Sequence, residues 1–441
     1  MVLKDYLDSI DRRTFLQILS FTGITGLIYP RKLIASLVPE KLSRVIIVED
    51  DTATKNSSVN EITIQAMVNS GIKALTHEDD IAEAWKTLLP GISPSSIIAI
   101  KVNCRYPALP THPQVTNAVI EGIKHISFDG KSFNDNNIII YENWKGDYDL
   151  SGFTVNTSDT GVRCLDTEST FGYSDESYDV DGSSQRISKI ITDVADHLIN
   201  ISVLKNHATA GATLCLKNHF GSCDYPRDMH GGRYQDCDPY IAALNALPPI
   251  KNKQRLNICD ALFGVKSGGP RGYPQFAANK LIISQDIVAT DYWGRKILEE
   301  NGCQTTSQAH HIDTAATEYN LGTNDPAQMD LVNIRNPSAG LDAIEANSNN
   351  PEFQLQQNYP NPFNKHTQIS FHITRPEEVR LSVFDSNGQH VRGLINQKLK
   401  PGWHEVSWNG RDGLKKQLDS GLYICQLKTE KLQKAIIMKL V

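Results

Sequence analysis

The chain has no excess of basic charge. Lys and Arg number 44 against 50 Asp and Glu in 441 residues, a formal net charge of −6. No large electrostatic footprint for nucleic acid is expected from such a balance. No Cys-x-x-Cys pair occurs anywhere, so neither an iron–sulfur cluster nor a zinc ribbon is supported in its usual spacing. The 8 cysteines lie far apart and make no disulfide framework for a chain of this length, although the count leaves room for one or two bridges. No Gly-Lys-Ser or Gly-Lys-Thr marks a Walker loop, and no internal repeat is visible. No apolar run reaches the about 20 residues that span a bilayer. What is present is a core: hydrophobic residues make up 40% and charged residues 21%, which excludes wholesale disorder. At roughly 150 residues per domain, the length allows two or three domains.

The pattern changes along the chain. From Ser43 to Arg335, apolar strand-like runs alternate with helical periodicity. RVIIVED (Arg44 to Asp50), SIIAIKVN (Ser96 to Asn103), NIIIYEN (Asn137 to Asn143), HLINISVLK (His197 to Lys205), LNICDAL (Leu256 to Leu262) and KLIISQD (Lys280 to Asp286) read as strands. Val59 to Gly71, Asp80 to Leu89, Pro113 to His125 and Ile287 to Asn301 read as helices. Continuous apolar strands interleaved with helices predict an α/β domain with a mostly parallel sheet, whose ligands bind beyond the carboxyl ends of the strands. Residues 336–352 are small and polar and read as a linker. From Phe353 to Val441 the helical period disappears. TQISFHI, VRLSVFD, WHEVSWN, LYICQLK and KAIIMKLV alternate between SNGQ, KPGW, NGRDG and DSG turns, which predicts a small all-β, immunoglobulin-like sandwich. Cys425 falls on an alternating strand position and reads as a small core residue.

Polar residues at the strand ends are the candidates for chemistry. Lys101 and Asn103 end one strand. Lys205 and His207 end another on one face, because the strand period is two. Asp260 lies near the end of LNICDAL, and Asp286 reads as a helix N-cap. Lys205 to Cys237 is the densest stretch, with His207, His219 and His230 among Cys215, Cys223 and Cys237. The spacing of these residues fits no standard metal template, so a metal stays open rather than indicated. The small residues Ala208 to Thr213 lead into a helix near Leu214 to His219 carrying Lys217. A helix start preceded by Gly and Thr suggests an anion cradle, and paired cations there would stabilise a carboxylate or phosphate. The loop KSGGPRG, with Gly268 and Gly269, offers a backbone approach to a ligand or simply a turn.

Segments along the chain resemble known families and signals. DRRTFLQ, with Arg12, Arg13, Phe15 and Leu16 before the short apolar run Leu16 to Tyr29, resembles a twin-arginine export signal over residues 1–42. That resemblance implies the twin-arginine translocase as a partner. QNYPNPFN (Gln357 to Asn364), VFDSNGQHV (Val383 to Val391) and WNGRDGLKKQLDSGLY (Trp408 to Tyr423) resemble the C-terminal sorting domain of the type nine secretion system. This second resemblance implies that machinery as a partner, and a place at the surface of, or outside, a Gram-negative cell. IAIKVN, VLKNHATAGATLCLKNHFG, ICDALFGVKSGGPRG, IISQDIVATD and LGTNDP resemble domain of unknown function family 362. The most specific motif of that family falls on Lys205, His207, Thr213, Lys217, Asn218 and Gly221. Ala261 stands where the family often has Gly, and the iron–sulfur motifs of some members are missing. A fainter similarity, over His207, Ala210, Gly211, Thr213 and Lys217, is to the nickel-cofactor lactate racemases and would imply hydride transfer on a 2-hydroxy acid.

Two classes of function stand side by side at this point. One is an enzyme acting on an anionic small molecule, with His207 as acid/base, Lys205 and Lys217 at the anion, and Lys101, Asn103, Thr213, Asn218, Asp260, Gly268, Gly269 and Asp291 lining the site. The other is a surface protein that captures such a ligand without chemistry. The export reading gives a direct test. Changing Arg12 and Arg13 together to Lys is expected to leave the protein in the cytoplasm, as read by cell fractionation. Normal export of that double variant would leave an ordinary first helix or a Sec route instead.

Overall fold

A computed structural model describes residues 42–339, apart from 145, 147 and 234, and residues 353–441, apart from 357, 386–387 and 430–432. The expected export signal, most of the expected linker, Gln357 and Asn387 lie outside the described residues.

The first part is a layered α/β domain. Its longer elements in chain order are β1 (Ser43–Glu49), α1 (Glu61–Thr76), α2 (Ile81–Leu88), β2 (Ile98–Lys101), α3 (Pro113–Ile123), β3 (Ile138–Glu142), β4 (Arg163–Asp166), β5 (His197–His207), β6 (Gly211–Thr213), α4 (Cys215–Asn218), α5 (Tyr240–Ala246), β7 (Gln254–Val265), β8 (Phe276–Ser284), α6 (Ile287–Glu300), α7 (His310–Thr317) and β9 (Met329–Arg335). One sheet runs β9-β1-β8-β7-β5-β2-β3-β4, with the short β6 folded back on β5. The pairs from β7 to β4 are parallel, as is β9 with β1. β8 is antiparallel to both its neighbours, so the sheet is mixed. Strand β5 is buried at all of its 11 positions, as a central strand covered on both faces must be.

Alternation along the strands divides the core. Val45 and Ile47 face one apolar layer with α5, α6 and α7, whereas Ile46 and Val48 face the other with α1, α2 and α3. Asn60 and Asp80 cap α1 and α2 by accepting from backbone N–H groups of the first turn. Asp286 caps α6 through Ala289 N at 2.9 Å, in line with the sequence reading. Its second oxygen also takes Ser43 Oγ at 2.5 Å and Thr323 N at 3.0 Å, tying β1 and the LGTNDP segment to the helix. A side chain at Gly322 would strike this carboxylate.

The sequence pattern did not reveal β4 or β9. Both are short and only half apolar, and each becomes a strand by pairing with a neighbour already in the sheet. At the start of the expected linker, Ser338 donates its N–H and its hydroxyl to the buried Asp50, at 3.1 and 2.7 Å. The chain is therefore held to the α/β domain at least that far.

The second part consists of two small antiparallel sheets. β10 (Phe353–Leu355), β11 (Thr367–Ile373) and β14 (Gly402–Trp408) form one; β13 (His390–Leu399), β12 (Glu377–Asp385), β15 (Gly421–Lys428) and β16 (Gln433–Leu440) form the other. Ile369 and Phe371 from the first sheet share one core with Leu381, Val383, Cys425 and Leu427 from the second. All 8 cysteines of the chain are buried and free, Cys425 among them. Among the described residues no helix is long and apolar enough to cross a membrane.

The Asp286 junction carries a prediction. Asp286→Ala removes a helix cap and orphans two further donors, so it is expected to destabilise the α/β domain by about 2–4 kcal/mol, measured by urea unfolding. A loss under about 0.5 kcal/mol would mean that the three contacts do not hold the fold.

Candidate functional site

The carboxyl end of β5 is irregular where it meets β7. Val203 pairs with Asp260, but Leu204 pairs with Gly264, so Ala261 to Phe263 bulge out of register. Such bulges turn side chains away from the regular pleat. Beyond them β5 continues through Lys205 and His207, and the chain reverses into β6. Gly211 makes that reversal at φ +76°, with Ala309 N and Thr305 O only 2.5 and 2.7 Å from where a Cβ would stand. A residue with a side chain fits there neither in conformation nor in space.

Behind the turn, neutral amides hold a buried cation. Lys205 Nζ donates to Asn103 Oδ1 at 3.0 Å and to the Leu109 carbonyl at 3.2 Å. Asn103 Nδ2 donates to Asn218 Oδ1 at 3.1 Å, and Asn218 Nδ2 to Asn200 Oδ1 at 2.7 Å. Asn200 Nδ2 closes the relay on the Cys215 carbonyl at 2.9 Å. The relay thus joins β2, β5 and α4. Lys101, at the end of β2, has a different environment. Its ammonium meets Glu142 at 2.7 Å with both side chains buried, and Gly221 leaves room for the pair, since a Cβ there would come within 2.8 Å of Nζ.

Among the described residues no carboxylate pairs with Lys217. Its ammonium sits over the Phe220 ring at 3.7 Å and contacts Cys237 Sγ at 3.9 Å. Burial lowers the pKa of Lys205 and of Lys217 to about 8. His207 and His230 stand with ring centres 5.9 Å apart, and His230 meets Phe220 edge-on at 5.5 Å. Burial, then the charge of Lys217, pushes His207 down to about 2, with His230, His311 and Lys205 adding to the effect. Of the three residues expected to act together, His207 therefore feels the charge of both Lys217 and Lys205.

The tautomers follow from the hydrogen bonds. His207 Nδ1 accepts from Thr209 N at 3.1 Å and Ala210 N at 3.0 Å. Its proton must then sit on Nε2, so that the ring presents an N–H at that atom. His230 is the reverse: Nδ1–H donates to the Pro226 carbonyl at 2.8 Å, so the lone pair is on Nε2. Burial and Lys217 also lower the pKa of His230. His311, on α7, is fully buried, and neither of its ring nitrogens finds a partner among the described residues. Burial and Lys217 bring it to about 3. The Thr213 hydroxyl, also buried, is equally without a partner among the described residues.

Other residues picked from the sequence are engaged within the protein. Asp291 fills the helix start that resembled an anion cradle: its two oxygens take Cys215 N at 2.7 Å and Leu216 N at 2.9 Å. Burial raises this carboxyl to about 7 despite those bonds. Asp260 accepts from His112 N at 2.9 Å and lies 2.7 Å from its ring Nδ1. Gly269 N donates to Asn206 Oδ1 at 2.7 Å, and a side chain on Gly269 would strike the Asn206 backbone. Gly268 adopts φ +80° in the same turn. The KSGGPRG loop is thus docked on β5. His311 and the tautomer of His230 were not foreseen. Neither has a side-chain signal in the sequence: His311 reaches this region only because α7 packs there, and the His230 tautomer is set by a backbone carbonyl, that of Pro226.

Among the described residues no three of His, Cys, Asp and Glu converge to hold a metal, and Nδ1 of both His207 and His230 is already committed. Buried cations and orphaned donors suit an anion.

The neutral histidines make stability depend on pH. His207, His311 and His219 have folded pKa values of about 2, 3 and 4, all below the about 6.5 of an unfolded histidine. Their contribution is fully present above pH about 6.5 and is lost as pH falls toward the folded values. Asp291 acts in the opposite sense: its share is present below about pH 4 and lost as pH rises through about 7. Three histidines against one aspartate should give a net loss of stability between pH 6 and 4. His311→Leu is expected to reduce that slope by about 1.4 kcal/mol per pH unit in urea titrations. An unchanged slope would place His311 in contact with water.

Comparison with known proteins places these features. Residues 98–296 match the family model described as domain of unknown function (DUF362), a narrower span than the residues 43–335 expected from the motifs. Residues 357–441 match the secretion system C-terminal sorting domain. No curated protein matches the chain. Among solved structures, dimeric latent PorU from Porphyromonas gingivalis is 17% identical over 21% of this chain and 10% of its own, with a TM-score of 0.18. PorZ from the same organism, a surface component of the type-IX secretion system, is 20% identical over 20% of this chain and 11% of its own, with a TM-score of 0.14. A Thermotoga maritima protein is 11% identical over 58% of this chain and 60% of its own, with a TM-score of 0.32. In each case the match spans less than two thirds of the other protein. The chain carries a DUF362 domain followed by a type IX secretion sorting domain, and the latter implies export to the cell surface or the extracellular space.

Proposed function

We propose that the DUF362 domain binds a small anion between Lys217, His207 and the groups around them, and acts on it as an enzyme. The supporting observation is one of charge. Lys205 and Lys217 are buried cations that contact amides, a carbonyl, a ring and a thiol rather than a carboxylate among the described residues. His311 and Thr213 add buried polar atoms without partners. A buried charge without a counter-ion costs several kcal/mol, on the order that a bound anion would recover. Lys217 would hold the anion, His207 Nε2–H would donate to it, and His230 Nε2 would take a proton from the bound molecule as general base.

A second reading is supported by enclosure. Lys217, His207 and Thr213 expose 7%, 6% and 5% of their surfaces, as suits a captured ligand that undergoes no reaction. A racemase-like or redox role dependent on a metal has no cluster of three His, Cys, Asp or Glu among the described residues to support it. For delivery, the twin-arginine reading of Arg12 and Arg13 and the immunoglobulin-like reading of the C-terminal sandwich complete the proposal, with the protein crossing the inner membrane before the type IX machinery receives it.

Inorganic phosphate tests the site. Saturating phosphate at about 100 times its dissociation constant should stabilise the protein by about 2.7 kcal/mol, read as a rise in melting temperature. Lys217→Ala should remove that rise while the protein stays folded; His230→Ala should keep it. Phosphate and sulfate without effect on the wild-type protein would defeat the proposal.

A further inference from the structure

The anion site accounts for the groups buried behind β5 but not for the aromatic and guanidinium side chains around it. Arg105 and Tyr106 follow β2, Trp144 follows β3, and Arg271 lies in the docked loop after β7. The guanidinium carbon of Arg105 is 5.4 Å from the centre of the Trp144 ring, and that of Arg271 is 5.3 Å from the centre of the Tyr106 ring. Tyr106 in turn lies 5.9 Å from Lys205 Nζ, which connects the rim to the amide relay. Trp144 exposes 47% of its surface, and Tyr273, two residues beyond Arg271, exposes 77%. Three strand-end loops thus bring flat, electron-rich rings and flat cations to the same edge of the sheet. The loop bearing Arg271 is rigidly placed, because Gly269 N and Ala208 N tie it to β5 at 2.7 and 3.1 Å.

We propose that this rim recognises the planar ring of the bound molecule, so that the ligand is an aromatic or heteroaromatic anion rather than a small aliphatic one. The reading rests on the anion site proposed above. A guanidinium stacked on an aromatic ring is a preformed platform, and a third ring adds to it at little cost in order. Rings stack on arginine planes and on aromatic side chains alike, with little dependence on ring identity. The positive charge of the rim attracts the same molecule that the buried cations hold.

Three probes with the same anionic head separate the two proposals: inorganic phosphate, phenyl phosphate and adenosine monophosphate, titrated by calorimetry against the full-length protein. The ring-bearing probes should bind at least about tenfold more tightly than inorganic phosphate, within the range that single stacking contacts give. Arg271→Lys keeps the charge but removes the plane, and Tyr106→Leu removes the ring. Each should erase most of that preference while leaving the affinity for inorganic phosphate within about twofold. Equal affinity for all three probes, or an intact preference in Arg271→Lys, overturns the rim proposal and leaves the anion site standing. If none of the three binds, both fall.

Discussion

The site depends on a cation held by neutral groups. Lys205 sits at the end of β5, and its ammonium is satisfied by an amide and a carbonyl. A carboxylate in either position would cancel the charge; amides position it without cancelling it. His207 feels that charge at low dielectric, although its neutral state owes most to burial and then to Lys217, with Lys205 adding least. The relay through Asn103, Asn218 and Asn200 also fixes the start of α4 against β5, and with it Lys217. Loss of one amide would therefore disturb both the charge and the geometry.

Lys101 shows the contrasting solution a few residues away. It is as deeply buried as Lys205, yet Glu142 meets it directly, and Cys104 N and Asn143 N occupy the remaining oxygen positions of that carboxylate. This pair is internally complete and asks for no ligand. Within one sheet edge, one cation is thus bonded directly to a carboxylate and the other to an amide and a carbonyl.

Much of the architecture was legible because strands and helices announce themselves locally. The 11-residue β5, the helix following Asp286 and the alternating strands of the sorting domain all carry their period in their own residues. Lys205, His207 and Lys217 could be singled out for the same reason, since strand ends and the turn at Gly211 are local features. Asp291 could not be read correctly. It lies far along the chain from Cys215, and only the packing of α6 against α4 shows that it occupies the helix start that looked open to a ligand. The protonation of His207 was hidden too, because it is set by the backbone N–H groups of its own turn rather than by any side chain.

The bulge between β5 and β7 explains why chemistry gathers where it does. A regular pleat would send Lys205 and His207 down the same face in step with Ile199 and Ile201, which pack in the apolar layer with α1 and α3. The slip in register after Val203 places its extra residues, Ala261 to Phe263, on β7. Lys205 stays near Leu109 on that side, while the ring of His207 meets His230 and its Nδ1 closes on the turn to β6. The strand end thus offers a fixed charge at Lys205 and a directed N–H at His207, and the proposed anion site would draw on both, because charge alone attracts without orienting and a neutral donor alone orients with little strength.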